Sequence, residues 1–220
     1  MFTRTDGARG GRIRLCQITA TLAGGGLEER VARLTRALDP SRFDVTWVGL
    51  APPENDLPSR VEGRANIVSV PRRGRGVEMQ LILRLATHLA RLRPDVVHVH
   101  NWSASLYGIM AARLAGAKVV LYGEGGRDDP GLPSPRRRAL MRALAPYVDH
   151  FTAVCDFLGR ELHRDWHVPA SHVTTLRTGV DAAPTPISRE ALRQRFQLPP
   201  DARVVVASAG RFRAVKQLDA

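Results

Sequence analysis

Runs of β-branched and aliphatic residues alternate along this chain with segments whose apolar residues recur every three or four positions. The runs are IRLCQIT (13–19), FDVTWVGL (43–50), NIVSV (66–70), DVVHVH (95–100), KVVLYG (118–123), HFTAVC (150–155) and HVTTLRT (172–178). Between them lie the helical patterns LEERVARLTRAL (27–38), MQLILRLATHLARL (79–92), SLYGIMAARLAG (105–116), RRRALMRALAPYV (136–148) and DFLGRELHRDW (156–166). Strands that are apolar throughout are buried on both faces, and helices alternating with them supply the cover. The pattern therefore predicts an α/β fold, a Rossmann-like, mostly parallel sheet with helices on both faces.

Within this pattern Leu27, Val31, Leu34 and Leu38 fall at helical spacing, which predicts an apolar face for the first helix with its arginines on the opposite side. Asp156 is the expected cap of DFLGRELHRDW, and Ser188 that of SREALRQRF. Residues 1–12 read as a flexible basic tail, because they lack the apolar core of an export signal. Residues 13–180 form the first Rossmann-like domain. Residues 181–200, rich in proline and small residues, form a linker with a short helix, and ARVVVASAG starts a second such domain that stops at Ala220.

Composition narrows the partners. The 220 residues carry a net charge of +12, almost all from arginine, which suits nucleic acid, an anionic membrane surface or phosphate-bearing ligands. Aromatic residues make up only 5% and do not interleave with the basic clusters, and no zinc-finger or helix-turn-helix pattern stands out, which argues against nucleic acid. Cys16 and Cys155 lie far apart, outside any metal-type spacing, and fit a reducing, cytoplasmic setting as small buried hydrophobes. The most apolar stretch, LYGIMAARLAGAKVVLYG, is interrupted by Arg113 and Lys118 and does not read as a membrane span.

Ligands of open parallel sheets bind beyond the carboxyl ends of the strands, so those ends hold the candidate site. After the first strand, Gly24, Gly25 and Gly26 lead into a helix. Glycines admit close backbone approach, and a helix N-terminus offers free N–H groups to a phosphate; the competing reading is a flexible loop. Glu28 and Glu29 in that first turn read as structural charges that favour the helix end. The fourth strand ends His98-Val99-His100-Asn101. Residues two apart share a face, so both imidazoles point the same way. A metal would need a third ligand, and none stands nearby. Asn101 either lines the crevice or caps the following helix. At the fifth strand's end Glu124, between Gly123 and Gly125, is a general base or hydroxyl-binding group, or else a solvated turn residue. Arg211 and Lys216 follow the last apolar run, a spacing that suits a diphosphate.

Taken in order, five segments resemble the retaining glycosyltransferases of two-Rossmann (GT-B) architecture, the family numbered four. They are GGGLEERVARLTRAL, RPDVVHVHNWSASLYGIMAARLAGAKVVL, YGEGGRD, VDHFTAVCDFLGRELHRDWHVPASHVTTLRTGVD and SAGRFRAVKQ. YGEGGRD is closest to the exopolysaccharide-type sugar transferases of that group. The resemblance implies a nucleotide-sugar donor, a glycan or lipid-linked acceptor and no metal or other cofactor. Gly25 and Gly26 would sit against the donor diphosphate, which Arg211 and Lys216 would neutralise. Glu124 and His100 are the catalytic candidates, with His98 and Asn101 on the acceptor side. The sequence departs from the family where a histidine usually stands, having Glu124 and Gly125 instead, and Thr178 replaces the asparagine of "NGVD". Most of the donor-binding domain is expected beyond Ala220, so these 220 residues alone are expected to transfer little or no sugar. The helix opening Arg136-Arg137-Arg138 is a candidate contact for anionic lipid at the inner face of a membrane. A non-catalytic glycan-binding or partner-subunit module is the alternative function.

Overall fold

Each predicted run becomes a strand of one sheet. The computed structural model describes residues 11–54, 56–74, 76–126, 134–179 and 187–199. The strands are β1 (Ile13–Thr19), β2 (Phe43–Gly49), β3 (Asn66–Ser69), β4 (Val96–His100), β5 (Val119–Glu124), β6 (His150–Ala153) and β7 (Val173–Thr175). All pair in parallel, in the order β3-β2-β1-β4-β5-β6-β7. The helices are α1 (Gly26–Ala37), the single turn α2 (Leu57–Arg60), α3 (Met79–Leu92), α4 (Asn101–Leu114), α5 (Pro135–Leu144), α6 (Asp156–Trp166) and α7 (Arg189–Arg195). The α7 helix belongs to a second unit of the chain, and there Ser188 accepts the Ala191 N–H at 3.1 Å, the cap its sequence predicts.

Alternation along the strands divides the interior in two. Val97 and Val99 of β4, Val120 and Tyr122 of β5 and Phe151 of β6 join the larger core, beneath α3 to α6. Trp47 of β2 meets Leu22, Val31, Ala32, Leu57 and Val61 in a smaller core on the opposite face, beneath α1 and α2. Helix α3 shows how a face is committed. Leu81, Leu85 and Leu89 recur at one-turn spacing with Ile82 beside them, all 3% exposed or less. Each contributes about 1.5–3 kcal/mol by burial. The helix ends at Arg93, which takes the left-handed conformation (φ 49°) before Pro94.

Two helix assignments are corrected. The buried face of α1 is Glu28, Val31, Ala32 and Thr35, whereas Leu34 is 39% exposed. The helix is rotated from the leucine stripe because it lies over polar side chains of β1 and β4, described below. In α6 the N-cap is Cys155, and Asp156 is the first helical residue, where its carboxylate accepts from Arg177 at 3.0 Å.

Because β1 and β4 are neighbours while α1 and α4 leave toward opposite faces, the chain reverses its direction of winding between them. A crevice opens at such a switch point.

Candidate functional site

The first wall of the crevice is the turn from β1 to α1. Gly25 is the N-cap, with extended backbone and no side chain to satisfy the first-turn N–H groups. The first intrahelical bond runs from Glu29 N to Gly25 O at 2.8 Å. A Cβ on Gly26 would meet nothing within 4 Å, so the helix end faces open space. The two glutamates of this turn are structural, as read from the sequence. Glu28 is buried and accepts from the Thr21 hydroxyl, and Glu29 pairs with Arg33 at 3.0 Å and Arg60 at 2.8 Å.

The floor is the end of β4. His98 and His100 do share a face, with ring centroids 4.0 Å apart. His100 is 2% exposed, and its Nε2 lies 3.2 Å from Gln17 Oε1 on the adjacent β1. Gln17 Nε2 in turn donates to Thr35 Oγ1 at 2.7 Å, and Thr35 gives its single proton to Val31 O at 2.8 Å. That chain fixes the amide's orientation, so Gln17 Oε1 must accept and His100 must carry its proton on Nε2. Its Nδ1 is then a bare acceptor, and it and His98 Nε2 are buried with no hydrogen-bond partner among the described residues. Burial, followed by the charge of Arg30, pushes the His98 pKa down to about 4. His100 is held well below its ordinary value by burial, then by His98 and Arg30. Both rings are neutral near pH 7.

The second wall is the end of β5. Glu124 is 5% exposed, not a solvated turn residue, and Tyr122 donates its hydroxyl proton to Glu124 Oε2 at 2.8 Å. The flanking glycines are explained by what they touch. A Cβ on Gly123 would lie 2.8 Å from His98 Nε2 and 3.4 Å from His100 Nδ1. One on Gly125 would lie 2.9 Å from both Arg30 Cζ and Asn101 Oδ1. Asn101 does not cap α4. Its side chain accepts the Gly125 N–H at 2.7 Å, tying the ends of β4 and β5 together, and it holds a left-handed backbone (φ 59°) to do so. Burial lowers the Arg30 pKa while the Glu124 charge opposes that fall, so this guanidinium stays the site's fixed cation.

The structure thus gathers His98, His100, Asn101 and Glu124 at neighbouring strand ends, with Gly25 and Gly26 at the adjoining turn after β1. Arg211 and Lys216 lie outside the described residues. Sequence reading missed Arg30 and Gln17. Arg30 was placed among the outward arginines of α1, yet from the first turns of that helix its long side chain reaches the end of β5 beside Gly125. Gln17 did carry a signal, as a lone amide inside an apolar run. Among the described residues no group of three or more histidine, cysteine, aspartate or glutamate side chains is arranged to hold a metal ion.

A seven-stranded parallel sheet with this order, and polar groups gathered at its switch point, defines a Rossmann-like α/β domain. The match to the model of Glycosyltransferase Family 4 spans residues 24–184, and the chain belongs to that family. No curated protein gives a significant match. Solved structures share the fold. Anabaena HepE, in complex with UDP and glucose, is 15% identical over 84% of this chain and 50% of its own, with a TM-score of 0.67. A glycosyltransferase from Rickettsia africae is 14% identical over 86% and 51%, with a TM-score of 0.63. The lipopolysaccharide outer core galactosyltransferase WaaB, in its apo form, is 11% identical over 76% and 46%, with a TM-score of 0.58. The chain spans about half the length of these proteins.

Proposed function

We propose that this chain is the acceptor-side half of a glycosyltransferase that moves a sugar, with retention of configuration, from a nucleotide-sugar donor to a glycan or lipid-linked acceptor of exopolysaccharide or glycolipid synthesis. The observation that carries the reading is the family match over residues 24–184, which contains Gly25, Gly26, His98, His100, Asn101 and Glu124. The open, uncapped start of α1 at Gly25 and Gly26 supports donor-diphosphate binding there, since free N–H groups and the helix dipole favour an anion. Arg211 and Lys216 would neutralise the departing nucleotide diphosphate, the charge for which other enzymes use a metal. Glu124, buried and oriented by Tyr122, would accept a hydrogen bond from the acceptor hydroxyl. His100 and His98 lie beneath it as neutral groups, and Asn101 holds the loop that carries it. Among the described residues no helix is long and apolar enough to cross a membrane. Catalysis is assigned to the cytoplasmic face, by a peripheral protein.

HepE was solved with UDP and glucose, which makes uridine diphosphate sugars the first donors to test. Calorimetry of the transferase as it occurs in the cell with UDP and UDP-glucose should show binding that weakens by about tenfold or more in Arg211→Ala and Lys216→Ala. Binding indifferent to both substitutions would remove the donor assignment. The use of Glu124 and Gly125 where the family usually has a histidine favours a second reading, a non-catalytic glycan-binding or partner-subunit module. That module would bind acceptor glycan without any release of UDP.

A further inference from the structure

One guanidinium at the crevice keeps all of its donors. Arg30 lies half-buried in the first turns of α1 and makes no hydrogen bond or ion pair among the described residues. The acids of its own turn are engaged elsewhere. Glu28 accepts from the Thr21 hydroxyl, and Glu29 meets Arg33 at 3.0 Å, Arg60 at 2.8 Å and Arg36 at 3.6 Å. The neighbouring arginines of α1 are paired, and Arg30 is passed over.

Its side chain instead reaches the end of β5. A Cβ on Gly125 would collide with Arg30 Nη2 and lie 2.9 Å from Cζ, so the guanidinium stands where a side chain of residue 125 would be, next to Glu124. A Cβ on Gly126 would meet nothing within 4 Å, so the loop beyond is open. The Arg30 charge reaches three side chains of the crevice. After burial, it is a further cause of the lowered pKa values of His98 and His100, and the Glu124 charge opposes the fall that burial imposes on Arg30 itself. Drawing a guanidinium partly out of water without partners for its N–H groups is unfavourable, and a ligand that accepts from them removes that cost.

We propose that Arg30 is a specificity residue for an acidic sugar, its guanidinium holding the carboxylate of a hexuronic acid ring whose neighbouring hydroxyl meets Glu124. The proposal deepens the acceptor reading above and rests on it. In such a ring the carboxylate at C5 and the hydroxyl at C4 stand on adjacent carbons, as Arg30 and Glu124 stand side by side at the end of β5. A guanidinium can give a carboxylate two parallel hydrogen bonds, while an ionised Glu124 can only accept, so the two side chains also fix which way round the ring lies. The crevice suits a single added negative charge. His98 and His100 are neutral, which leaves Arg30 as the one fixed cation among the described residues at these strand ends. A phosphate would bring a second negative charge beside Glu124, and the donor diphosphate has Arg211 and Lys216 in the reading above.

The test is calorimetry of the transferase as it occurs in the cell with the methyl glycosides of glucuronic and galacturonic acid, each beside its neutral glucose or galactose counterpart. At least one uronide should bind about tenfold tighter than its neutral counterpart, with the gap narrowing at high salt. Arg30→Gln removes the charge and should lower uronide affinity by about tenfold while moving the neutral sugar by less than about twofold. Arg30→Lys should keep part of the preference, because the point charge remains and the fork is lost. If thermal unfolding shows that Arg30→Gln does not fold, the lysine variant carries the comparison. A wild type without preference for either uronide overturns the proposal. So does a variant that weakens acidic and neutral sugars equally, the mark of a side chain that only fills space. A variant that loses UDP affinity and keeps the uronide preference also overturns it, by assigning the guanidinium to the donor diphosphate. UDP-glucose binding separates the two claims. Donor binding without uronide preference sinks only this proposal, whereas an Arg30-dependent preference without donor binding sinks only the transferase reading and leaves a glycan-binding module.

Discussion

Arg30 occupies the space that a side chain on Gly125 would need. A Cβ built there would lie 2.9 Å from Arg30 Cζ and 2.9 Å from Asn101 Oδ1. Asn101 does not yield cheaply, because it already accepts the Gly125 N–H, and the Arg30 guanidinium would have to swing aside. Gly125→Ala is therefore expected to cost about 1–3 kcal/mol in urea unfolding, the usual range for overpacking. Combining it with Arg30→Ala should recover part of the loss, a non-additivity that two independent defects would not show.

The paired histidines predict a specific acid response. The folded-state pKa of His98 is pushed from 6.5 down to about 4, and that of His100 is lowered too. The unfolded chain therefore takes up protons first as pH falls. Stability from these rings is complete above about pH 6.5 and is lost as pH falls toward 4, with a penalty on the order of 3 kcal/mol from His98 alone. Urea midpoints measured across this range should fall, and His98→Gln should flatten the slope. A wild-type midpoint that holds steady between pH 6.5 and 4 would contradict the neutral-pair assignment.

Gln17 is expected to set the His100 tautomer. Gln17→Leu removes the acceptor for Nε2–H and the donor to Thr35, and should cost about 1–3 kcal/mol by leaving buried polar groups unpaired. Nitrogen-15 NMR of the imidazole should show a single Nε2–H form in the wild type and a mixture of tautomers in the variant. A single unchanged tautomer in Gln17→Leu would show that the ring is oriented by something else.

If Glu124 acts on the acceptor hydroxyl, Glu124→Gln in the transferase as it occurs in the cell should lower kcat by about 10²–10⁴-fold while leaving donor affinity unchanged. Tyr122→Phe, which removes the 2.8 Å bond to Oε2, should shift the pH profile instead of abolishing turnover. A Glu124→Gln enzyme with full kcat would assign the carboxylate to loop structure alone.

Much of the fold was legible because its signals are local. Continuous apolar runs and one-turn spacings mark strands and helices whatever their neighbours are, and all seven predicted runs pair in parallel. The shared face of His98 and His100 was legible for the same reason, since alternation along a strand needs no tertiary knowledge. Helix α1 shows the limit. Its leucines suggest one buried face, yet the partner surface beneath it contains Gln17 and His100, so the helix turns Glu28, Val31, Ala32 and Thr35 inward. The sequence by itself determined the order of elements, the sheet class and the strand ends at which polar groups collect. Only the tertiary structure decided that Arg30 faces the crevice, that Asn101 clamps Gly125 and leaves α4 uncapped, and that Gly123 and Gly125 are there for close approach. Backbone periodicity is a property of neighbours in sequence. The rotation of a helix and the closeness of two strand ends are set by contacts between residues far apart in the chain, so no local pattern encodes them.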